Sequence, residues 1–558
     1  MKTRKALSLF FCTVAFAAGA ATVSVDTAKL AAGSWALSDA SLGVQHGDSV
    51  IEATTYNVDG TPGFFAISLK GGGTLFLAAD DEMGPVLAFT AESAPDLSAG
   101  SPLLDLLERD IRARRGIVKG EKELDAAMPN AAPKARVSTT AGAKAGWAAL
   151  TASATKASNR ERADGAPYDA ASAAATPQET LAVSDIRVEP LIKSQWSQQT
   201  AGGGKCYNYY TPNNYPCGCV ATAAAQIMRF WKYPDMELPA FSKGCTVDNS
   251  TIELSSVDNP NPRVYSWDSM KLVPKASATE AEREAIGRLT SDIGVALGAS
   301  YGYDGTGAMS IDVSAVFRDR FAYPSGVEYW NSNWENALRD GGGLHGREAR
   351  NKVIYACLDA GLPVQLAIAD GNGYNGHAVV CDGYGFVAIG GNDTEFAHIN
   401  MGWAGSGDMW YNIPDINSTV GSMAGQGGVH FQIIKGATFN IATETFGALL
   451  TGRITDDGDP VANAVVTAYN AGTTTEAGTC TTDAHGIYAF RLPSNANYDI
   501  KVVSEDGFKS GALEESVHLG RTSADNAYVV YSINNIGNSC GNDIDIAMPH
   551  VRIVGGNY

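Results

Sequence analysis

The stretch Tyr215–Pro234, YPCGCVATAAAQIMRFWKYP, constrains this chain more than any other. From Val220 the apolar residues Val220, Ala223, Ala224, Ile227, Met228 and Trp231 recur at steps of three and four, the period of one helix face. The alanine run favours helix and Pro234 ends it. A buried helix is therefore expected, with Cys219 in its first turn. Unpaired backbone N–H groups and the positive end of the helix dipole favour an anion there, so a thiol ionises more readily than a free one. Cysteine is also among the most buried residue types and packs as a small hydrophobe. Position alone therefore leaves a core role open for Cys219.

The length, 558 residues, implies several domains. A net charge of −19 without clustered Lys and Arg argues against nucleic acid as a partner. The chain opens with the basic Met1–Lys5, an apolar run Ala6–Ala18 and the small residues Ala18, Gly19 and Ala20. That is the pattern of a secretory signal peptide over residues 1–20, and Cys12 is expected to leave with it. No later run reaches the eighteen or so apolar residues of a membrane span. A secreted, extracellular location follows, with the cell surface or periplasm as variants. Export makes disulfides possible for Cys206, Cys217, Cys245, Cys357, Cys381, Cys480 and Cys540, although spacing does not give connectivity.

Residues 21–120 carry alternating segments, Gly63–Leu69 and Thr74–Ala78, followed by a helical pattern around Leu103–Arg114. A small α+β domain fits, and its His46 reads as a surface residue. Residues 121–185 shift to Ala, Ser, Thr, Gly and Lys without a sustained apolar period, as expected of an exposed linker. Its Lys134, Arg136, Lys144, Lys156, Arg160 and Arg162 are open to a protease. In the block 186–436 the short apolar runs Leu362–Ile368, His377–Tyr384 and Glu395–Asn400 read as strands. Helix first and sheet afterwards predicts an α+β fold, a helix packed on an antiparallel sheet. Residues 446–558 have short strands divided by Asp-Gly, Pro and Asn signals, the pattern of a β-sandwich. Cys480 and Cys540 are candidates to pair within it.

A cysteine nucleophile needs a base, a group that orients the base, and donors for the developing oxyanion. His377 opens a strand after the glycine-rich Gly371–Gly376, so its ring can stand at a sheet edge. Asn400 ends the following strand and is placed to accept from the imidazole and fix its tautomer. His398 shares a strand face with Asn400 and is the rival base. His430, His485, His518 and His550 have no comparable setting. Cys217 and Cys219 make a Cys-x-Cys pair, but no second pair at zinc spacing follows, so neither a metal nor another cofactor is expected. A disulfide from Cys217 to Cys206 or Cys245 is the better reading for a secreted chain.

These motifs resemble the streptopain family of papain-like cysteine proteases. Gly218–Ala223 with Lys232–Pro234 is similar to the family's nucleophile helix, Gly376–Tyr384 to its histidine strand, and His398–Gly405 to its His-Ile-Asn-Trp-Gly-Trp-Gly-Gly segment. Tyr265–Met270, Ile293–Ala296 and Tyr301–Gly302 are similar to further landmarks. The resemblance spans roughly 189–435 and, more weakly, the leader, where Asp80–Leu87 looks like the family's propeptide. It implies a secreted zymogen of an endopeptidase acting on proteins or peptides and held inactive by its own propeptide. Cys219 would be the nucleophile and His377 the general base and acid. Gln198 would donate to the oxyanion together with the Cys219 backbone N–H, each worth about 3 kcal/mol in the transition state. Trp403 would pack beside the imidazole, and Asn400 matches the family asparagine. Met401 and Ala404 depart from the pattern, standing for a tryptophan and a glycine, and altered substrate contacts are expected at Met401. The segment from Gly452 to Tyr488 resembles carboxypeptidase regulatory-like sandwich domains, for which contact with a cell surface or matrix is one role. Two other functions keep the same residues: an adhesion protein with a degenerate protease domain, and a transpeptidase that passes the acyl group to an amine.

Overall fold

A computed structural model describes residues 22–38, 50–69, 73–90, 95–127, 142–151, 185–258, 264–324, 328–331, 346–369, 376–389, 392–411, 433–444 and, with short gaps, 448–519, 528–530 and 552–553. The signal sequence, His46, most of the Gly371–Gly376 approach, His430, Cys540 and His550 lie outside these residues.

The leader folds as α1 (Val25–Ser38), β1 (Val50–Val58), β2 (Thr61–Leu69), β3 (Thr74–Ala78), β4 (Val86–Thr90) and α2 (Pro102–Ala127), an α+β unit as expected. Strands β3 and β4 are buried at every position and read as continuous apolar runs because both faces are covered. The expectation of an exposed linker fails over residues 142–151, which form helix α3. Its Trp147 and Leu150 are buried in the leader core, and the Trp147 indole donates to the Met83 carbonyl at 3.1 Å. Two large apolar side chains one helical turn apart are enough to dock an alanine-rich segment when a ready-made surface receives them.

The following block contributes β5 (Asp185–Val188), α4 (Cys219–Trp231), β6 (Ser242–Val247), β7 (Ser250–Ser255), α5 (Glu280–Leu297), β8 (Ser300–Gly302), β9 (Gly305–Gly307), α6 (Val313–Arg320), β10 (Glu328–Asn331), α7 (Gly346–Asp359), β11 (Val364–Ala369), β12 (His377–Ile389), β13 (Asn392–Asn400), β14 (Met409–Tyr411) and β15 (Ile433–Phe439). One 11-stranded antiparallel sheet runs β1-β2-β3-β4-β14-β13-β12-β11-β15-β10, with β5 added to β12. Strands of residues 50–90 and strands of residues 328–439 thus share a sheet, joined where Phe89 faces Trp410 and Ala88 faces Tyr411. Phe89 stacks on Trp410 and meets Trp35 and Phe396 edge-on, so an aromatic cluster seals the junction. This is the α+β arrangement that the order of elements predicts.

Helix α4 packs between α5 and the strand β12. Ala223, Ala224 and Ala225 are all buried, and these small side chains let neighbouring backbone approach closely. At its end Lys232 takes a left-handed conformation and its N–H caps the carbonyls of Met228 and Arg229. Among the described residues no helix is long and apolar enough to cross a membrane.

The C-terminal strands β16 (Ala448–Arg453), β17 (Val465–Asn470), β18 (Glu476–Thr481), β19 (Ile487–Leu492) and β20 (Ala496–Val503) fall in two sheets, with β16 paired to β19 and β17 between β18 and β20. Leu450, Val466, Tyr488, Phe490, Ile500 and Val502 fill the space between them, a sandwich core. Strand β16 is buried on both faces: Leu450 points into the sandwich, and Leu449 joins the core beneath α7. At that contact Asp359 accepts from the Tyr384 hydroxyl at 2.7 Å, and its buried carboxyl also faces the Thr451 hydroxyl. Burial raises the Asp359 carboxyl to about 7.

Candidate active site

Gly218 sets the start of α4 with φ +91°, and a Cβ there would lie 2.8 Å from the Thr306 carbonyl oxygen on β9. Only glycine fits both the conformation and the space. Cys219 follows as the first helical residue, its side chain half-buried. Burial opposes ionisation of this thiol. The hydrogen bond and charge of His377, with the backbone N–H groups of Ala378 and Val220, outweigh it and draw the thiol below its ordinary range.

His377 begins β12, pairing with Ile368 across the sheet. Its Nε2 donates to the Met401 carbonyl at 2.9 Å, and the Trp403 ring stacks on the imidazole with centroids 5.0 Å apart. An indole face against the ring shields that side of it from water.

Gln198 belongs to a segment fastened along one face of α4. Cys219, Thr222 and Gln226 repeat at three and four residues and form a polar stripe. The Ser194 hydroxyl and the Trp196 N–H donate to Gln226 Oε1 at 2.9 and 3.2 Å, Thr222 Oγ1 donates to the Ser197 carbonyl at 3.2 Å, and the Cys217 N–H donates to the Gln198 carbonyl at 2.9 Å. Residues 197–200, Pro216, Asp304 and Gly305 line an open cavity of about 350 Å³ beside this segment.

Asn400 is not brought to the imidazole. Its Oδ1 accepts from Gln226 Nε2 at 2.8 Å and from the Gly402 N–H at 3.1 Å, and its Nδ2 donates to the Ser194 carbonyl at 2.9 Å. The acceptor facing His377 is instead a main-chain carbonyl, that of Met401. Gln226 and Asn400 are both buried and join three segments: the helix of Cys219, the segment leading to Gln198, and the turn whose carbonyl holds His377. Sequence reasoning missed both Gln226 and the Met401 carbonyl. Gln226 had a signal, because it lies seven residues beyond Cys219 on the same helix face. A carbonyl has none, since every residue carries one.

His398 is held elsewhere. Its Nδ1 lies 2.7 Å from Asp382 Oδ1, its ring meets Trp410 edge-on, and Asp382 Oδ2 accepts from the Ile192 N–H at 2.8 Å. The structure brings His377, and not this rival, to Cys219. The Met401 side chain is buried in the core, so the expected change in substrate contacts is replaced by a change in packing. Ala404 adopts φ +59°, a conformation glycine takes freely.

The expected disulfide from Cys217 is not formed. All seven cysteines among the described residues are free. Cys217 is buried, its Sγ lies 3.3 Å from Thr222 Oγ1, and burial pushes its thiol up to about 12. Among the described residues no group of three His, Cys, Asp or Glu could hold a metal ion.

Comparison with known proteins bears on the same residues. Residues 196–411 match the model of the peptidase C10 family, and residues 450–529 that of the carboxypeptidase regulatory-like domain. Streptopain of Streptococcus pyogenes serotype M28 is 25% identical over 265 residues, 43% of this chain and 60% of the relative. The thiol protease/hemagglutinin PrtT of Porphyromonas gingivalis is 30% identical over 213 residues, 38% of this chain and 22% of the relative. The chain therefore spans 60% of the length of the streptopain it matches. Among solved structures, a fragment of Prevotella intermedia prointerpain A aligns with a TM-score of 0.45 and 20% identity, covering 71% of this chain and 100% of the fragment. Active interpain A aligns with a TM-score of 0.36 and 26% identity, covering 46% of this chain and 95% of its own.

Proposed function

We propose that this chain, which carries a peptidase C10 domain followed by a carboxypeptidase regulatory-like domain, is the exported zymogen of a cysteine endopeptidase. Residues 1–20 serve as signal, 21–120 as propeptide, 121–185 as the segment cut on activation, 186–436 as the protease and 446–558 as an accessory sandwich. The observation that carries this reading is the lowered thiol of Cys219 at a helix mouth, hydrogen-bonded to His377.

The Cys219 thiolate attacks a peptide carbonyl carbon. The oxyanion accepts from the Cys219 backbone N–H and the Gln198 side-chain amide. His377, holding the proton taken from the thiol, passes it to the leaving amine as the C–N bond breaks, which leaves a thioester on Cys219. Water then attacks the thioester, His377 takes the water's proton, and the acid departs as the thiolate re-forms. With Nε2 on the Met401 carbonyl, Nδ1 is the nitrogen that carries these transfers. The leader's place in the same sheet as His377 supports its role as a docked inhibitor.

The test is Cys219→Ala in the full chain. Caseinolysis after incubation under reducing conditions should fall by more than about 10⁴-fold, with the circular dichroism spectrum unchanged. Undiminished hydrolysis, or stoichiometric labelling of a different cysteine by an epoxide inhibitor, would overturn the assignment.

A further inference from the structure

The cavity beside Gln198 is not used by the bond-breaking steps above. Its position relative to them is nonetheless fixed by Gln198, which forms part of its wall. The oxyanion sits against Gln198, so the residue whose carbonyl is attacked, one bond away, lies within a few ångströms of the same wall. The leaving amine must face His377, which is carried by a different element, β12. The β8–β9 hairpin closes the cavity, and β9 presses against the residue before the nucleophile through Thr306. At about 350 Å³ the space accommodates a long side chain.

The chemistry of the wall is polar. Ser197, Gln198, Gln199 and Thr200 supply hydroxyl and amide groups, and Asp304, at the tip of the hairpin, is the single charged side chain lining the space. Asp304 is exposed, and among the described residues no cation is paired with it. An apolar side chain here would cover amides without pairing them. A carboxylate would be repelled by Asp304, and a cation gains both the charge and the amide acceptors.

We propose that this cavity is the subsite for the residue that donates the scissile carbonyl, and that Asp304 makes it selective for lysine and arginine. The inference rests on Cys219 being the peptidase nucleophile. It also gives the chain's own linker a chemical reason to be a substrate, because Lys134, Arg136, Lys156, Arg160 and Arg162 lie in it.

The activated full chain, its active sites counted with an irreversible thiol reagent, is assayed on peptides that differ only at this residue: Arg, Lys, Gln, Leu or Glu. Because Asp304 is exposed, kcat/KM for Arg and Lys should exceed that for Gln by about fivefold, with Glu lowest. Added salt should narrow the gap. In Asp304→Asn the Arg-to-Gln ratio should fall to near one, and in Asp304→Lys Glu should overtake Arg. Equal kcat/KM for Arg, Gln and Glu, or an Arg preference that survives both substitutions, would overturn the subsite while leaving the nucleophile in place. A protein that cleaves none of the peptides and takes no label at Cys219 would overturn both.

Discussion

Cys217 and Cys219 are two residues apart at the same helix mouth, and burial opposes ionisation of each. One thiol is pushed up to about 12 and the other is drawn down. Cys217 has a neutral partner, the Thr222 hydroxyl, which itself donates to carbonyls. Cys219 has a histidine and two backbone N–H groups. Proximity to a helix start is therefore not what separates them. The partner that can carry a positive charge is, and β12 delivers it from more than a hundred residues away.

The sharpest way to break this contrast is to remove that partner. In His377→Ala, burial acts on Cys219 against only the Ala378 and Val220 N–H groups, as it acts on Cys217 against the Thr222 hydroxyl. Peptide hydrolysis should fall by about 10²–10⁴-fold, the range for loss of a general acid and base, and the rate of thiol alkylation at neutral pH should fall with it. Retained alkylation would mean that the helix end alone ionises the thiol.

A second test asks whether burial prevails over weaker partners elsewhere. Asp359 is such a group: burial raises its carboxyl to about 7 at the contact between α7 and the sandwich, over the opposing hydrogen bonds of Tyr384 and Thr451 and the charge of Arg187. Between pH ~4 and ~7 the folded protein holds a proton that the unfolded chain has released. The contribution of Asp359 to stability should therefore be greatest below about 4, fall as pH rises through this window by up to about 4 kcal/mol, and level off above it. Asp359→Asn can still accept from Tyr384 and gains a donor toward Thr451. It should flatten this part of the curve, measured as the difference in thermal midpoint between variant and parent across pH. Parallel curves would contradict the burial account.

The smallest effect belongs to Cys217→Ala. Loss of the sulfur's contact with Thr222 should cost about 1 kcal/mol of stability, read by denaturant titration, with near-normal peptidase activity. A large loss of activity would show that Cys217 does more than fill the wall.

Much of the site was legible because its signals are local. The three-and-four spacing of Val220 to Trp231 gave the helix, and short apolar runs bounded by Gly or Asp gave β11, β12 and β13. What was not legible depends on contacts between distant segments. Asn400 sits at the end of the right strand, but its amide is taken by Gln226 and Ser194, and the Met401 carbonyl stands where it was expected. Helix α3 has low-complexity composition and is ordered by the leader surface that receives Trp147. The pairing of Phe89 with Trp410 crosses more than three hundred residues, and no local pattern announces it. The cysteine count suggested disulfides, yet buried thiols can serve as small apolar side chains in a core of this size.

The central claim is that one thiol of this chain is ionised by His377 while its neighbour is not. The direct measurement is the rate of alkylation by iodoacetamide as a function of pH in the full chain, with the labelled cysteine located by peptide mapping. The account predicts a single fast site, Cys219, whose reactivity persists below the pH at which a free thiol becomes protonated, with Cys217 unlabelled until the protein is unfolded. Fast labelling of Cys217, or a Cys219 rate that follows an ordinary free thiol, would contradict it.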